Sequence, residues 1–173
     1  IQKPYEHGTE EYYKESETRY ESGELFKKDS IKNNDSLKYK TPKGKIVYGG
    51  GGIVPDVFVP LEGKHGEESI VYVMQQSGVV GRFVFEQLDE NRKAFQNLSF
   101  ANFLIKMNAT DKYFNGFQKY LEVSGVPLNL ANNKSLVKRY LTAEFAGQLY
   151  GEQKYYEIVL KEDTMVKTAI REK

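Results

Sequence analysis

The chain has 173 residues, enough for one domain or for one domain with an appendage. Lys and Arg number 25 against 24 Asp and Glu, a balance that gives no electrostatic case for nucleic acid or an anionic membrane. A hydrophobic fraction of 39% fits a globular rather than a disordered chain, and the lack of cysteine excludes disulfides, thiolate zinc sites and a cysteine nucleophile together.

Residues 1–46 are polar, charged and rich in turn residues. Thr9 is placed to cap a short helix, with Glu10 and Glu11 in its favourable first turn and Gly23 as its stop. Tyr12, Tyr13, Ser16 and Tyr20 place two tyrosines and a small residue near one thin face, and the charge density is high, so this helix is expected on a surface. Asn33-Asn34-Asp35 signals a turn. Leu37–Lys40 and Lys45–Tyr48 alternate on either side of Thr41-Pro42-Lys43-Gly44, which predicts a β-hairpin. The stretch Val47–Pro60 then divides the chain as strand, glycine bend, strand. Four consecutive glycines, Gly49–Gly52, lose too much backbone freedom to sit inside a strand or helix and fit a tight bend. Pro55 lacks an N–H donor and belongs at a strand start or edge, and Val57, Phe58 and Val59 are strand formers.

From residue 61 onward the pattern turns helical. After a linker with Gly63 and Gly66, Glu67 and Glu68 open a helix carrying Ile70, Val73, Met74 and Ser77, closed by Gly78. A second carries Val80, Phe83, Val84, Gln87 and Leu88, or the two are one helix with close-packing glycines at 78 and 81. Phe95, Leu98, Phe100, Phe103 and Leu104 continue through a shorter helix. Thr110 caps the next, which carries Tyr113, Phe114, Phe117, Tyr120 and Leu121 and ends at Gly125 and Pro127. Asn133 or Ser135 caps a helix with Leu136, Tyr140, Leu141, Ala143, Phe145 and Leu149, broken by Gly151. Tyr155, Tyr156, Val159 and Leu160 follow, and Asp163 caps a last helix with Val166, Ala169 and Ile170. The fold class expected is α+β: a small β portion, hairpin and closing strand, followed by a mostly α-helical domain. The expected division is residues 1–60 and 61–173. There are 13 Tyr and 10 Phe but no Trp, so aromatic packing is expected to supply much of the core.

Gly52-Ile53-Val54-Pro55-Asp56-Val57-Phe58-Val59 resembles the closing strand of the carboxyl-terminal processing (tail-specific) serine proteases, which typically carry Gly-Ile-x-Pro-Asp-x-x-Val there. Ile1-Gln2-Lys3-Pro4 resembles the segment before that strand, and the tail Ala146–Tyr156 is similar to the C-terminal extension of some bacterial members. Where the family moves soon to its last strand, this chain inserts about forty residues, Lys3 to Ile46. The resemblance implies a chain lying downstream of the family's serine nucleophile and lysine base, and no catalytic residue is carried onto it. A first residue other than methionine fits an excised fragment. Gly52, Ile53, Pro55, Asp56 and Val59 are then a structural motif. Residues 1–60 would complete or decorate a protease core with an inserted helix and hairpin. Residues 61–173 would be a helical extension serving packing, oligomerisation or substrate recognition. The implied partners are the rest of the protease with its core and PDZ domains, a protein or peptide substrate and further copies of the chain. The implied location is the periplasm or cell envelope of a bacterium.

The chemistry-bearing residues have bland alternatives. Gly49–Gly52 are followed by Ile-Val-Pro rather than the Lys-Ser/Thr and helix start of a phosphate loop. Ser135-Leu136-Val137-Lys138 matches Ser-x-x-Lys, whose spacing can bring a lysine to a hydroxyl, but its companion Ser-Asp-Asn and Lys-Thr-Gly motifs are missing. Ser135 as a cap and Lys138 in solvent is the simpler reading. Ser36 and Lys40 would lie about 13 Å apart on a strand. His7 and His65 sit in polar loops without ligand spacing. Glu10/Glu11 and Glu67/Glu68 read as helix-start charges, and Asp56, at a strand entry beside Pro55, as a structural carboxylate that caps a turn and holds the strand in place. Lys112-Tyr113-Phe114 and Lys119-Tyr120 read as a core face with a solvated rim rather than a base-stacking platform. No catalytic, cofactor-binding or metal-ligating residue is assigned, and the chain alone is expected to be inactive. The competing expectation is an autonomous helical interaction module, binding a peptide in an aromatic groove around Tyr113, Phe117 and Tyr140.

Overall fold

The computed structural model describes residues 9–31, 35–49, 55–61, 68–126 and 128–172. The chain falls into two compact units, Ile1–Glu62 and Gly63–Lys173. Its class is α+β, a small β-hairpin portion followed by a helical region.

In the first unit, α1 spans Thr9–Glu21. Gly23 at φ 80° ends it, its amide donating to the Tyr20 carbonyl while Glu24 N–H reaches the Arg19 carbonyl. That left-handed glycine stop is the one the sequence called for. The Arg19 guanidinium closes the turn on Glu24 at 3.0 Å, and the Tyr20 ring meets Phe26 edge-on. Tyr13 and Tyr20 are exposed, so α1 does present a surface face; the side chains of Tyr12 and Ser16, like Asn33 and Asn34, lie outside the described residues. Strands β1 (Lys38–Lys40) and β2 (Ile46–Tyr48) form the expected hairpin, antiparallel, with Lys38 opposite Tyr48 and Lys40 opposite Ile46. The intervening loop is closed by Thr41. Its N–H donates to the Lys45 carbonyl, its carbonyl accepts from Gly44, and its hydroxyl accepts from the Lys45 amide. Gly44 sits at φ 84°, which glycine adopts without strain.

Residues 55–61 correct one expectation. Val57, Phe58 and Val59 do not form a strand; Asp56 and Val57 bend, and the rest runs irregularly. Strand propensity records fit to a pleated neighbour, and no third strand pairs there among the described residues. This segment is tied down otherwise, by an ion pair between Asp56 and Lys45 and by Leu61 N–H donating to the Leu25 carbonyl.

The second unit is helical. Its helices are α2 (Glu68–Gln75), α3 (Val79–Glu90), α4 (Arg92–Phe95), α5 (Phe100–Asn108), α6 (Lys112–Val123), α7 (Lys134–Tyr150), α8 (Glu152–Val159) and α9 (Thr164–Arg171). Gly78 at φ 71° separates α2 from α3, which decides for two helices. The shorter helix expected over Phe95–Leu104 is instead two, because the Ser99 hydroxyl accepts from Asn102 N–H and starts α5 afresh. Asp163 caps α9 as expected, accepting from Val166 N–H at 2.8 Å. Ser135 is not a cap but lies inside the first turn of α7.

Helix α7 is the axis of the core. Its Val137, Tyr140, Leu141, Phe145 and Ala146 are buried with Val80, Phe83 and Val84 of α3, Phe103 and Met107 of α5, and Phe114, Phe117 and Leu121 of α6. The aromatic core is real: Phe145 lies 4.6 Å from the Tyr113 ring and 5.5 Å from Phe95, centroid to centroid. Each such ring, fully buried, stabilises the fold by about 1.5–3 kcal/mol. Helix α8 turns back on α7 at Gly151, with Gly147 giving room for Tyr155.

Candidate functional site

The side of α7 that does not face the core forms a wall. Lys134, Ser135, Lys138, Arg139 and Thr142 recur at three- and four-residue spacing and so make one stripe. Phe100, Leu104 and Asn108 make a second stripe on α5, and Glu157, Ile158, Lys161 and Glu162 a third, running from α8 into the 3-10 turn Leu160–Glu162. Between them lies a cleft of about 910 Å³. Phe100, Leu104 and Ile158 give it apolar surface, and Lys134, Lys138, Arg139, Glu157, Lys161 and Glu162 line it with charge.

The charges are unevenly matched. Lys134 and Lys138 both donate to Asp111, at 2.6 and 2.8 Å, so two ammonium groups share one carboxylate. Those two hydrogen bonds hold the Asp111 carboxyl below its usual range. Glu157 pairs with Lys154 at 2.5 Å and Glu162 with Lys167 at 2.6 Å. The Lys167 bond, with weaker help from Lys161 and Arg139, lowers the Glu162 pKa. Arg139 and Lys161 have no ion-pair partner of their own among the described residues. The Arg139 Nε is buried and makes no hydrogen bond, and its guanidinium carbon stands 5.7 Å from the centre of the Tyr140 ring. A buried donor left unpaired costs about 1–3 kcal/mol, so such a group calls for a partner.

The residues singled out from sequence fall as follows. Lys138 is not in open solvent: its ammonium is directed to Asp111 rather than engaged with a hydroxyl. A serine–lysine dyad needs the amine beside the serine hydroxyl, and the Lys138 amine is engaged by Asp111 instead. Ser36 lies in a 3-10 turn, Asp35–Leu37, and Lys40 on β1, not on one strand. Of the motif, Pro55, Asp56 and Val59 are described; no strand forms there for Asp56 to hold, and its carboxylate makes an exposed ion pair with Lys45. Gly52 and Ile53, the histidines His7 and His65, and Glu67 lie outside the described residues. Tyr113, Phe117 and Tyr140 do not line a groove. They are 5%, 0% and 6% exposed, because their helices turn these faces into the common core. Tyr140 spends its hydroxyl on Gln75, at 2.5 Å, and burial pushes the Tyr113 phenol pKa up. Tyr113 and Phe114 are likewise no stacking platform. Among the described residues no three His, Cys, Asp or Glu side chains gather as a metal site, and no helix is long and apolar enough to cross a membrane.

Arg139 and Lys161 were not found from the sequence. The available signal was a cationic stripe at helical spacing on an otherwise apolar helix. It reads the same whether the stripe meets water or a facing wall, and α5 and α8 supply that wall through tertiary packing.

A family of unknown function (DUF8443) matches residues 71–151, from within α2 to the residue after α7. The matched segment lies within the second unit and includes two of the three walls of the cleft. No curated protein and no solved structure matches the chain.

Proposed function

We propose that this chain is a non-catalytic region whose helical unit binds a protein segment. By the resemblance of Gly52–Val59, it serves a carboxyl-terminal processing serine endopeptidase of the bacterial periplasm or cell envelope. The observation that carries the binding role is the cleft between α5, α7 and α8, lined by Phe100, Leu104 and Ile158 together with cations that outnumber their carboxylate partners. Clefts of this size with an apolar lining and a few placed polar groups are the usual form of a binding site. The protease connection rests on the likeness of Gly52–Val59 to the family's closing strand.

The test is made on the parent protein. Its upstream reading frame should encode the family's Gly-Lys-Gly-x-x-Gln type of catalytic stretch. Cleavage of a C-terminally tagged peptide by the parent should become slower or less selective when the chain stops after Pro60. A frame without a catalytic core would sink the protease connection.

A second reading has one observation in its favour. The family match lies wholly inside the second unit and excludes the protease-like motif. On that reading the helical unit is an autonomous interaction module, and truncation after Pro60 leaves activity and selectivity unchanged.

A further inference from the structure

The cleft has a charge preference that its shape alone does not convey. Lys134 and Lys138 together answer one carboxylate, Asp111, and the cleft's own two carboxylates are already taken by Lys154 and Lys167. Arg139 and Lys161 have no ion pair of their own among the described residues and act on Glu162 only at longer range, so cations outnumber carboxylates around the cleft. Arg139 also keeps a buried Nε–H with no acceptor. A guanidinium fork matches the two oxygens of a carboxylate, and Arg139 lines the cleft. Phe100, Leu104 and Ile158 meanwhile offer apolar surface that a bare anion would leave uncovered.

We propose that the cleft takes a protein segment presenting a large apolar side chain and a carboxylate about one helical turn apart, with the carboxylate seated on Arg139 and Lys161. The apolar side chain lies against Phe100, Leu104 and Ile158. An acidic amphipathic helix offers that pairing at three- or four-residue spacing, and helix-in-groove docking reads such anchors. The inference rests on the reading of the helical unit as a binding module and gives that module its ligand chemistry.

The probe is a displayed library of random peptides, selected on the intact chain at low salt, with the recovered peptides then synthesised and labelled. The expected peptides carry Asp or Glu three or four residues from Leu, Ile, Met or Phe. Their affinity should fall roughly tenfold or more in Arg139→Met, which keeps the aliphatic stem, and fall again with added salt. Lys161→Ala should weaken them too; Lys161 is exposed, so this variant stays folded. Recovery of peptides without acidic residues, or equal binding by both variants, overturns the charge assignment while leaving a binding module in place. No recovered peptide removes both readings. Displacement by inorganic phosphate, with indifference to loss of the peptide's apolar residue, would reduce the cleft to a simple anion site and also overturns the proposal.

Discussion

At the scale of single residues, two side chains test the energetics. Phe145 is fully buried and touches rings from two other segments, Phe95 and Tyr113. Its replacement removes transfer energy and leaves a cavity that close-packed helices fill poorly. Phe145→Ala should cost about 3–5 kcal/mol, read as a shift of the urea midpoint at constant slope. Asp111 tests the charges. Its folded pKa lies below the ordinary one, so it adds stability above the unfolded carboxyl's value, and that stability is lost as pH falls through the lowered value. Asp111→Asn should therefore melt below the parent protein at neutral pH, with the difference closing below about pH 4. A difference that persists unchanged in acid would point to packing rather than to the two lysines. The carboxylate could be seen in the sequence as a residue before a helix, but its two lysines come from a helix more than twenty positions away.

Elements were legible where a local device sets them. The hairpin, the stops at Gly23 and Gly151 and the cap at Asp163 each follow from one or two residues with a fixed backbone role. Elements that depend on a neighbour were not. Val57–Val59 has strand formers but no pairing partner among the described residues, and Phe95–Leu104 has a continuous apolar face but is cut by the Ser99 cap. The Asp163 cap gives a clean measurement, because α9 contains no buried residue and leans little on packing. Asp163→Ala should destabilise that helix by about 1 kcal/mol, seen as faster amide exchange over residues 164–171. Exchange in α7 should stay unchanged, since its protection comes from the core.

For the whole molecule, the sequence separated a polar β-containing part from an aromatic helical part, and the class followed from that. The cleft did not follow. Its apolar and cationic groups come from three helices, and each stripe alone resembles an ordinary solvated or core-facing surface. The aromatic residues that drew attention as a groove, Tyr113, Phe117 and Tyr140, were those the fold needs inside, since large rings at helical spacing first satisfy the core.

The attachment of α8 has one more consequence. The helix joins α7 through Gly151 alone, at φ 94° and ψ 164°, and it carries one wall of the cleft without burying any residue of its own. On the proposed binding role, recognition on that wall is thus a matter of rotational phase rather than of composition. One residue added early in α8 would turn Glu157 and Ile158 by about 100° around the helix axis while the α5 and α7 walls kept their places. Sequences sharing this core could exchange one partner for another by a single insertion there, with every original side chain still present.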